Sequence, residues 1–176
     1  MLVLAAILTA LATASAAPAA PWTVSAGYYG TWLTQPGLFA AAERPLATQG
    51  PHHLVLGARL GGFHHVRRHT GLFARAEAGY RLAGRGPYAE AFVGLGVRHT
   101  VLAGAVYVSD GEGGVRRTLD AGRPTFAPSL ALGAGWRLSE ALRLFGRVEG
   151  WVRAPVNRMW LPGVAMSVGA AWTPGT

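Results

Sequence analysis

From about residue 53 onward, apolar side chains recur at every second position. In residues 88–102 one row reads Ala89, Ala91, Val93, Leu95, Val97, His99 and Val101, and the other reads Tyr88, Glu90, Phe92, Gly94, Gly96, Arg98 and Thr100. A period of two marks a β-strand whose two faces differ chemically. The same alternation predicts eight strands, over residues 23–32, 38–46, 53–63, 72–82, 88–102, 126–138, 142–153 and 162–173. Turn-forming runs such as Gln49-Gly50-Pro51 and Ala83-Gly84-Arg85-Gly86-Pro87 separate them. Residues 103–125 read as a long loop, in which 105–108 and 115–119 flank Asp110-Gly111-Glu112-Gly113-Gly114 and predict a hairpin beyond the barrel wall.

The two rows cannot both face water in the usual way. By parity, the polar row carries Glu43, Arg59, Arg75, Glu77, Arg81, Glu90, Arg98, Arg137, Arg143, Arg147, Glu149 and Arg153, with Phe63, Phe73, Phe92, Phe145 and Trp151 among them. So many charges mixed with glycine and aromatics fit a barrel turned inside out, with lipid against the aliphatic row and polar groups in the lumen. The expected fold is therefore all-β, an eight-stranded antiparallel up-and-down transmembrane β-barrel. A barrel of that size has an interior filled by its own side chains. Its charges must then pair, and the guanidinium fork suits a carboxylate. The prediction is a plugged lumen held by Arg–Glu ion pairs, with the excess of eight arginines over four glutamates partly solvated near the ends.

Link lengths and tryptophans give the barrel a direction. Numbered from the first strand, links 47–52, 83–87 and 139–141 fall on the periplasmic side, and links 33–37, 64–69, 103–125 and 154–161 outside. Trp22, Trp136 and Trp172 then map to the periplasmic rim, and Trp32 and Trp160 to the outer rim, an aromatic girdle at both interfaces.

Composition agrees with a single apolar domain. The chain has 176 residues, 25 Gly, no Cys and 14% charged residues, with a mean hydropathy of +0.26. Residues 2–17 form an Ala/Leu-rich run too short for a membrane span, ending in Ala14-Ser15-Ala16 before Ala17-Pro18, the small-x-small pattern of a signal-peptidase site. Residues 1–16 are thus expected to be a cleaved signal peptide and 17–176 the barrel. The net charge of +8 raises nucleic acid as a partner. Its distribution argues against this, because about half of the arginines share a strand face with glutamates instead of forming one basic stripe.

Two clusters could carry chemistry. His64, His65 and His69, with Arg67 and Arg68, form a basic cluster in one predicted outer loop. No carboxylate or Cys accompanies them in sequence, so a metal site would be loose. An exposed basic loop facing lipopolysaccharide phosphates accounts for the same residues. A lipid-modifying enzyme would need a Ser nucleophile beside a His base at the membrane face. His99 lies on the lipid side, but Ser129 and Ser167 point inward by parity. Neither catalysis nor a cofactor is expected.

Several stretches resemble motifs of uncharacterised Gram-negative outer-membrane β-barrel proteins. They are Gln35-Pro36-Gly37-Leu38, His69-Thr70-Gly71-Leu72-Phe73 followed by Glu77-Ala78-Gly79-Tyr80-Arg81, and Gly122-Arg123-Pro124 before Pro128-Ser129-Leu130. The architecture is similar to that of the small outer-membrane protein A/X-like barrels over the whole mature chain. The resemblance implies an outer-membrane location, lipid and lipopolysaccharide as surroundings, the barrel-insertion machinery as an assembly partner, and a monomer; it carries no activity. In such proteins the last strand ends at an aromatic residue, whereas here Trp172 is followed by Thr173-Pro174-Gly175-Thr176. The function expected is a structural or surface-interaction role. The competing class is a soluble, lipocalin-like periplasmic barrel, which would hold the row Leu54, Leu56, Leu60, Leu72, Leu95, Leu130 and Leu132 inside. A lipid-modifying enzyme and a small anion pore are further alternatives.

Overall fold

The computed structural model describes residues 21–31, 35–65, 69–102, 105–109, 111, 114–119, 122–156 and 159–175. The expected signal peptide, Trp32, Arg67 and Arg68 lie outside these residues. The described chain contains strands and no helix: β1 (Thr23–Gly30), β2 (Pro36–Gln49), β3 (His52–His65), β4 (His69–Ala83), β5 (Pro87–Leu102), β6 (Ala105–Ser109), β7 (Val115–Leu119), β8 (Arg123–Phe126), β9 (Ser129–Arg137), β10 (Leu142–Val156) and β11 (Met159–Trp172).

Neighbouring strands pair antiparallel in chain order, and β11 returns to pair with β1, so the sheet closes. Both β8 and β9 pair with β5 on one side and β10 on the other. They are two pieces of one wall strand, and the barrel has eight staves. The predicted strand over residues 126–138 is thus broken at Ala127-Pro128. Proline has no N–H to give to the ladder. There Ala127 N–H donates instead to the Gly96 carbonyl, and Val152 N–H donates to the Pro128 carbonyl.

Most strands run further than the alternation alone indicates. The β3–β4 pairing continues to His65↔His69, which leaves only residues 66–68 as the link. Beyond a register shift between Arg153 and Val156, β10 and β11 still pair at Val156↔Met159. At the opposite rim, Gly50 takes a φ of 58°, a left-handed conformation open to glycine in the tight β2–β3 turn. The first strand is shorter than predicted and stops at Gly30. The anticipated hairpin is present as the separate pair β6–β7.

Parity sorts the two faces of this wall. Leu60, Leu95 and Leu132 point outward and are 62%, 64% and 64% exposed. Tyr29, Phe39, Phe63, Phe73, Tyr88 and Phe145 point inward and form one buried cluster; Val55, Phe92 and Ala131 form another. The leucine row that a lipocalin-like barrel would bury is on the outside, which removes that alternative.

Candidate functional site

The chemistry of the molecule is concentrated in the barrel interior, where strand register and cross-barrel contacts place the charged row in successive layers. At the rim that holds the chain ends, Glu43 on β2 accepts from Arg81 on β4 at 2.7 Å and from Arg143 on β10 at 2.7 Å. Arg81 also reaches Glu90 at 2.8 Å. Those two face each other in the β4–β5 register, so this contact follows from strand pairing alone.

The middle layers brace the barrel across its width. Arg147 on β10 donates to Glu77 on β4 and to Glu90 on β5, each at 2.9 Å. Glu77 also accepts from Arg75 at 2.7 Å and faces Arg59 at 3.6 Å. The Arg75 fork binds both carboxylate oxygens of Glu149 on β10. Arg147–Glu77, Arg147–Glu90 and Arg75–Glu149 join strands that are not neighbours in the sheet and tie opposite walls, whereas Arg75–Glu77 lies within β4 and Arg59–Glu77 spans the β3–β4 ladder. Glu77, Glu90, Glu149, Arg59 and Arg147 are all buried. Buried charges of this kind are tolerated when each is partnered and hydrogen-bonded.

Aromatic faces hold the arginines that carboxylates do not saturate. The Arg59 guanidinium lies 4.4 Å from the Phe39 ring and donates to Ser167 Oγ at 3.3 Å. Arg147 stacks on Phe92 at 4.2 Å, and Arg81 and Arg143 both lie over Tyr88. Arg98 sits between Phe63 and Trp151, at 4.4 and 3.9 Å. Such contacts contribute about 2 kcal/mol when desolvated. Arg98 is therefore buried, where surplus arginines were expected to be partly solvated. Tyr29 and Phe39 were not among the residues singled out from sequence. Phe39 shares the parity of Glu43 on β2, so its signal was available, whereas β1 carries no charged residue from which the side of Tyr29 could be read.

The remaining predicted residues fall at the rims. Arg137 faces Arg143 in the β9–β10 register and, among the described residues, has no carboxylate within 4.0 Å. Arg153 donates to Thr100 Oγ1 at 3.2 Å near the far rim. Trp22, Trp136 and Trp172 are exposed at the rim of the chain ends, and Trp160 is exposed at the other. Arg44 lies over the Trp22 ring at 5.5 Å. The histidines are borne on strands, which corrects their assignment to a loop, because pairing persists to the β3–β4 turn. His64 bonds Thr70 at 3.0 Å, and the His65 and His69 rings stack with centroids 5.6 Å apart.

With this geometry in hand, comparison with solved structures finds close architectural matches. Neisserial surface protein A superposes with a TM-score of 0.58 at 9% identity, covering 89% of this chain and 99% of that one. The N-terminal β-barrel domain of Pseudomonas aeruginosa OprF gives 0.55 at 14% identity, covering 88% and 97%. Ail, the attachment invasion locus protein of Yersinia pestis, gives 0.53 at 9% identity, covering 88% and 99%. The fold is that of the small outer-membrane β-barrels. No family model and no curated protein matches the sequence.

Proposed function

We propose that this protein is an integral outer-membrane barrel whose lumen is closed by its own side chains, and that it acts as a structural or surface-interacting component without catalysis. The observation that carries this is the inversion of the wall: leucine and valine cover the outside, and ion-paired arginines and glutamates fill the inside. Water would not favour that outer face, whereas hydrocarbon would. A 15-residue stave such as β4 reaches roughly 50 Å at ~3.3 Å per residue. Tilted by about 40°, it crosses an apolar band of about 25 Å and projects beyond it. Trp22, Trp136, Trp172 and Trp160 suit the two interfaces as a girdle.

On this reading the chain is a monomer assembled by the barrel-insertion machinery, with lipid around the wall and lipopolysaccharide around the outer rim. The histidine-bearing ends of β3 and β4 and the β6–β7 hairpin form the outward contact surface. Surface binding has a parallel in the fold, since Ail has been solved in complex with the heparin analogue sucrose octasulfate. Catalysis finds little support in the interior: Ser167 is buried and engaged by Arg59, and the inward carboxylates are tied to guanidiniums.

Fractionation of expressing cells, followed by electrophoresis with and without boiling, tests the proposal. The expected result is recovery with the outer membrane and a mobility change on heating. Recovery in the soluble periplasmic fraction would sink it. Planar-bilayer recording tests the closed lumen separately, and sustained conductance steps would argue for a pore.

A further inference from the structure

The layered ion pairing stops before the interior does. Among the described residues, Glu149 is the last carboxylate on the way to the far rim, and it is taken by Arg75. Beyond it lie Arg98 and Arg153, and among the described residues neither has a carboxylate within 4.0 Å. Trp151 stands between them, its ring 3.9 Å from one guanidinium and 5.5 Å from the other. The three surround a cavity of about 180 Å³ that is also lined by Thr31, Gln35 and Phe63.

Two donors here lack acceptors. The Trp151 Nε1 and Arg153 Nε atoms are buried and have no hydrogen-bond partner among the described atoms. Trp151 is 9% exposed and Arg98 4% exposed. A buried donor without an acceptor is unfavourable by about 1–3 kcal/mol, more beside a charge. Two like charges flanking one indole add repulsion. Among the described residues, every other buried guanidinium in the interior has a glutamate within 4.0 Å, although Arg59 meets Glu77 only at 3.6 Å and keeps its own Nε unpartnered. Arg98 has the Tyr29 hydroxyl as its hydrogen-bond partner instead of a carboxylate. The chemistry missing at this end is an acceptor-rich anion.

We propose that the outer mouth of the barrel is a binding site for a water-borne oxyanion, a phosphate or sulphate group, held by the guanidiniums of Arg98 and Arg153 and by the Trp151 indole N–H. Planar arginine forks match tetrahedral oxyanions in charge and geometry. The Thr31 hydroxyl and the Gln35 amide, already joined at 2.6 Å, add neutral polar groups to the same cavity. Its position inside the ring of strands selects an anion arriving from water over a lipid headgroup, which would meet the outward face. The site reads a charged group and does not require a conducting lumen, so it stands apart from the structural role proposed above.

Inorganic phosphate titrated into the folded barrel in non-ionic maltoside micelles, at constant ionic strength made up with chloride, tests this by indole fluorescence. A saturable response is expected, and Trp151→Phe is expected to remove it. Arg153→Gln is expected to weaken binding about tenfold by removing one charged donor, while Arg85→Gln, in the turn at the opposite rim, leaves it unchanged. Arg153 is only half-buried, so its variant keeps the test open if Arg98→Gln fails to refold. Absence of saturation in folded wild-type protein, or equal affinity in Arg153→Gln, overturns the site. Nanodiscs separate the two sources of anion: under salt that screens surface charge, equal phosphate affinity in phosphatidylcholine and phosphatidylglycerol discs supports the aqueous ligand. Competition by phosphatidylglycerol overturns it.

Discussion

Glu149 and Glu140 make opposite demands on their surroundings. Glu149 is buried and accepts both arms of Arg75, whereas Glu140 sits exposed in the turn between β9 and β10. Glu149→Gln keeps the shape and removes the charge, leaving the Arg75 guanidinium buried with only Glu77 to answer it. Breaking one partner of a buried pair destabilises by about 3–5 kcal/mol, so the urea midpoint of the refolded barrel in micelles is expected to fall sharply. Glu140→Gln is expected to leave it in place. Equal midpoints would show that the interior charges are hydrated and weakly coupled. Sequence makes the membership of this row legible, because a period of two assigns each residue to a face without any knowledge of the tertiary structure. It does not make the partners legible. Arg81 and Glu90 meet through adjacent strands, but Arg75 with Glu149 and Arg147 with Glu77 meet across the barrel. Those encounters depend on tilt and closure, which spacing along the chain does not encode. The aromatic shelves under Arg59 and Arg98 were hidden for the same reason.

At the scale of a strand, β5 shows what the alternation specifies and where it stops. Its outward row includes Val93, Leu95 and Val97, all exposed, and its inward row includes Glu90, Phe92 and Arg98, all buried. A one-residue slip would exchange the two rows, so both faces hold the register. Leu95→Arg places a guanidinium on the outward face near the middle of the strand. If that face meets hydrocarbon, the substitution is expected to destabilise the barrel by about 2–4 kcal/mol, read as a lower urea midpoint in phospholipid vesicles. In a structure whose outer face met water, the same change would be nearly silent. A cysteine substituted at Leu95 gives a second readout: an aqueous maleimide is expected to leave it unlabelled in intact membranes. Strand ends are less legible than strand middles. The β3–β4 and β10–β11 ladders continue through residues that look like loop, His64, His65 and Val156, because backbone pairing needs no particular side chain once the neighbouring strand is present. The break at Ala127-Pro128 is the reverse case: the proline was visible and lay inside the single strand read over residues 126–138, but the interruption it makes there was not read.

At the scale of the whole molecule, closure rests on the contact between the first and last staves. The shortest full stave, β1, meets β11 in seven register pairs from Val24↔Trp172 to Gly30↔Met166. Near the centre of that seam, Gly27 faces Gly169. A Cβ built on Gly27 would overlap the backbone of Val168 and Gly169, and one on Gly169 would press on the Phe39 ring at 3.0 Å. The first obstruction is main chain, which cannot rotate away as a side chain can. The seam is therefore narrow on its inner side, where the Phe39 ring enters beside Arg59. Gly27→Val is expected to part the strands locally and to weaken the barrel by about 1–3 kcal/mol, the range for overpacking a filled interior. Ala26→Val, one residue away on the outward face, adds bulk where there is free space. Gly27→Val adds three carbons and Ala26→Val two, so hydrophobicity alone would favour the glycine variant, and a lower stability of Gly27→Val reports geometry. On electrophoresis without boiling, Ala26→Val is expected to retain the folded band at temperatures where Gly27→Val has lost it. Matching melting temperatures for the pair would mean that the first and last strands are not held together as tightly as their register pairs require.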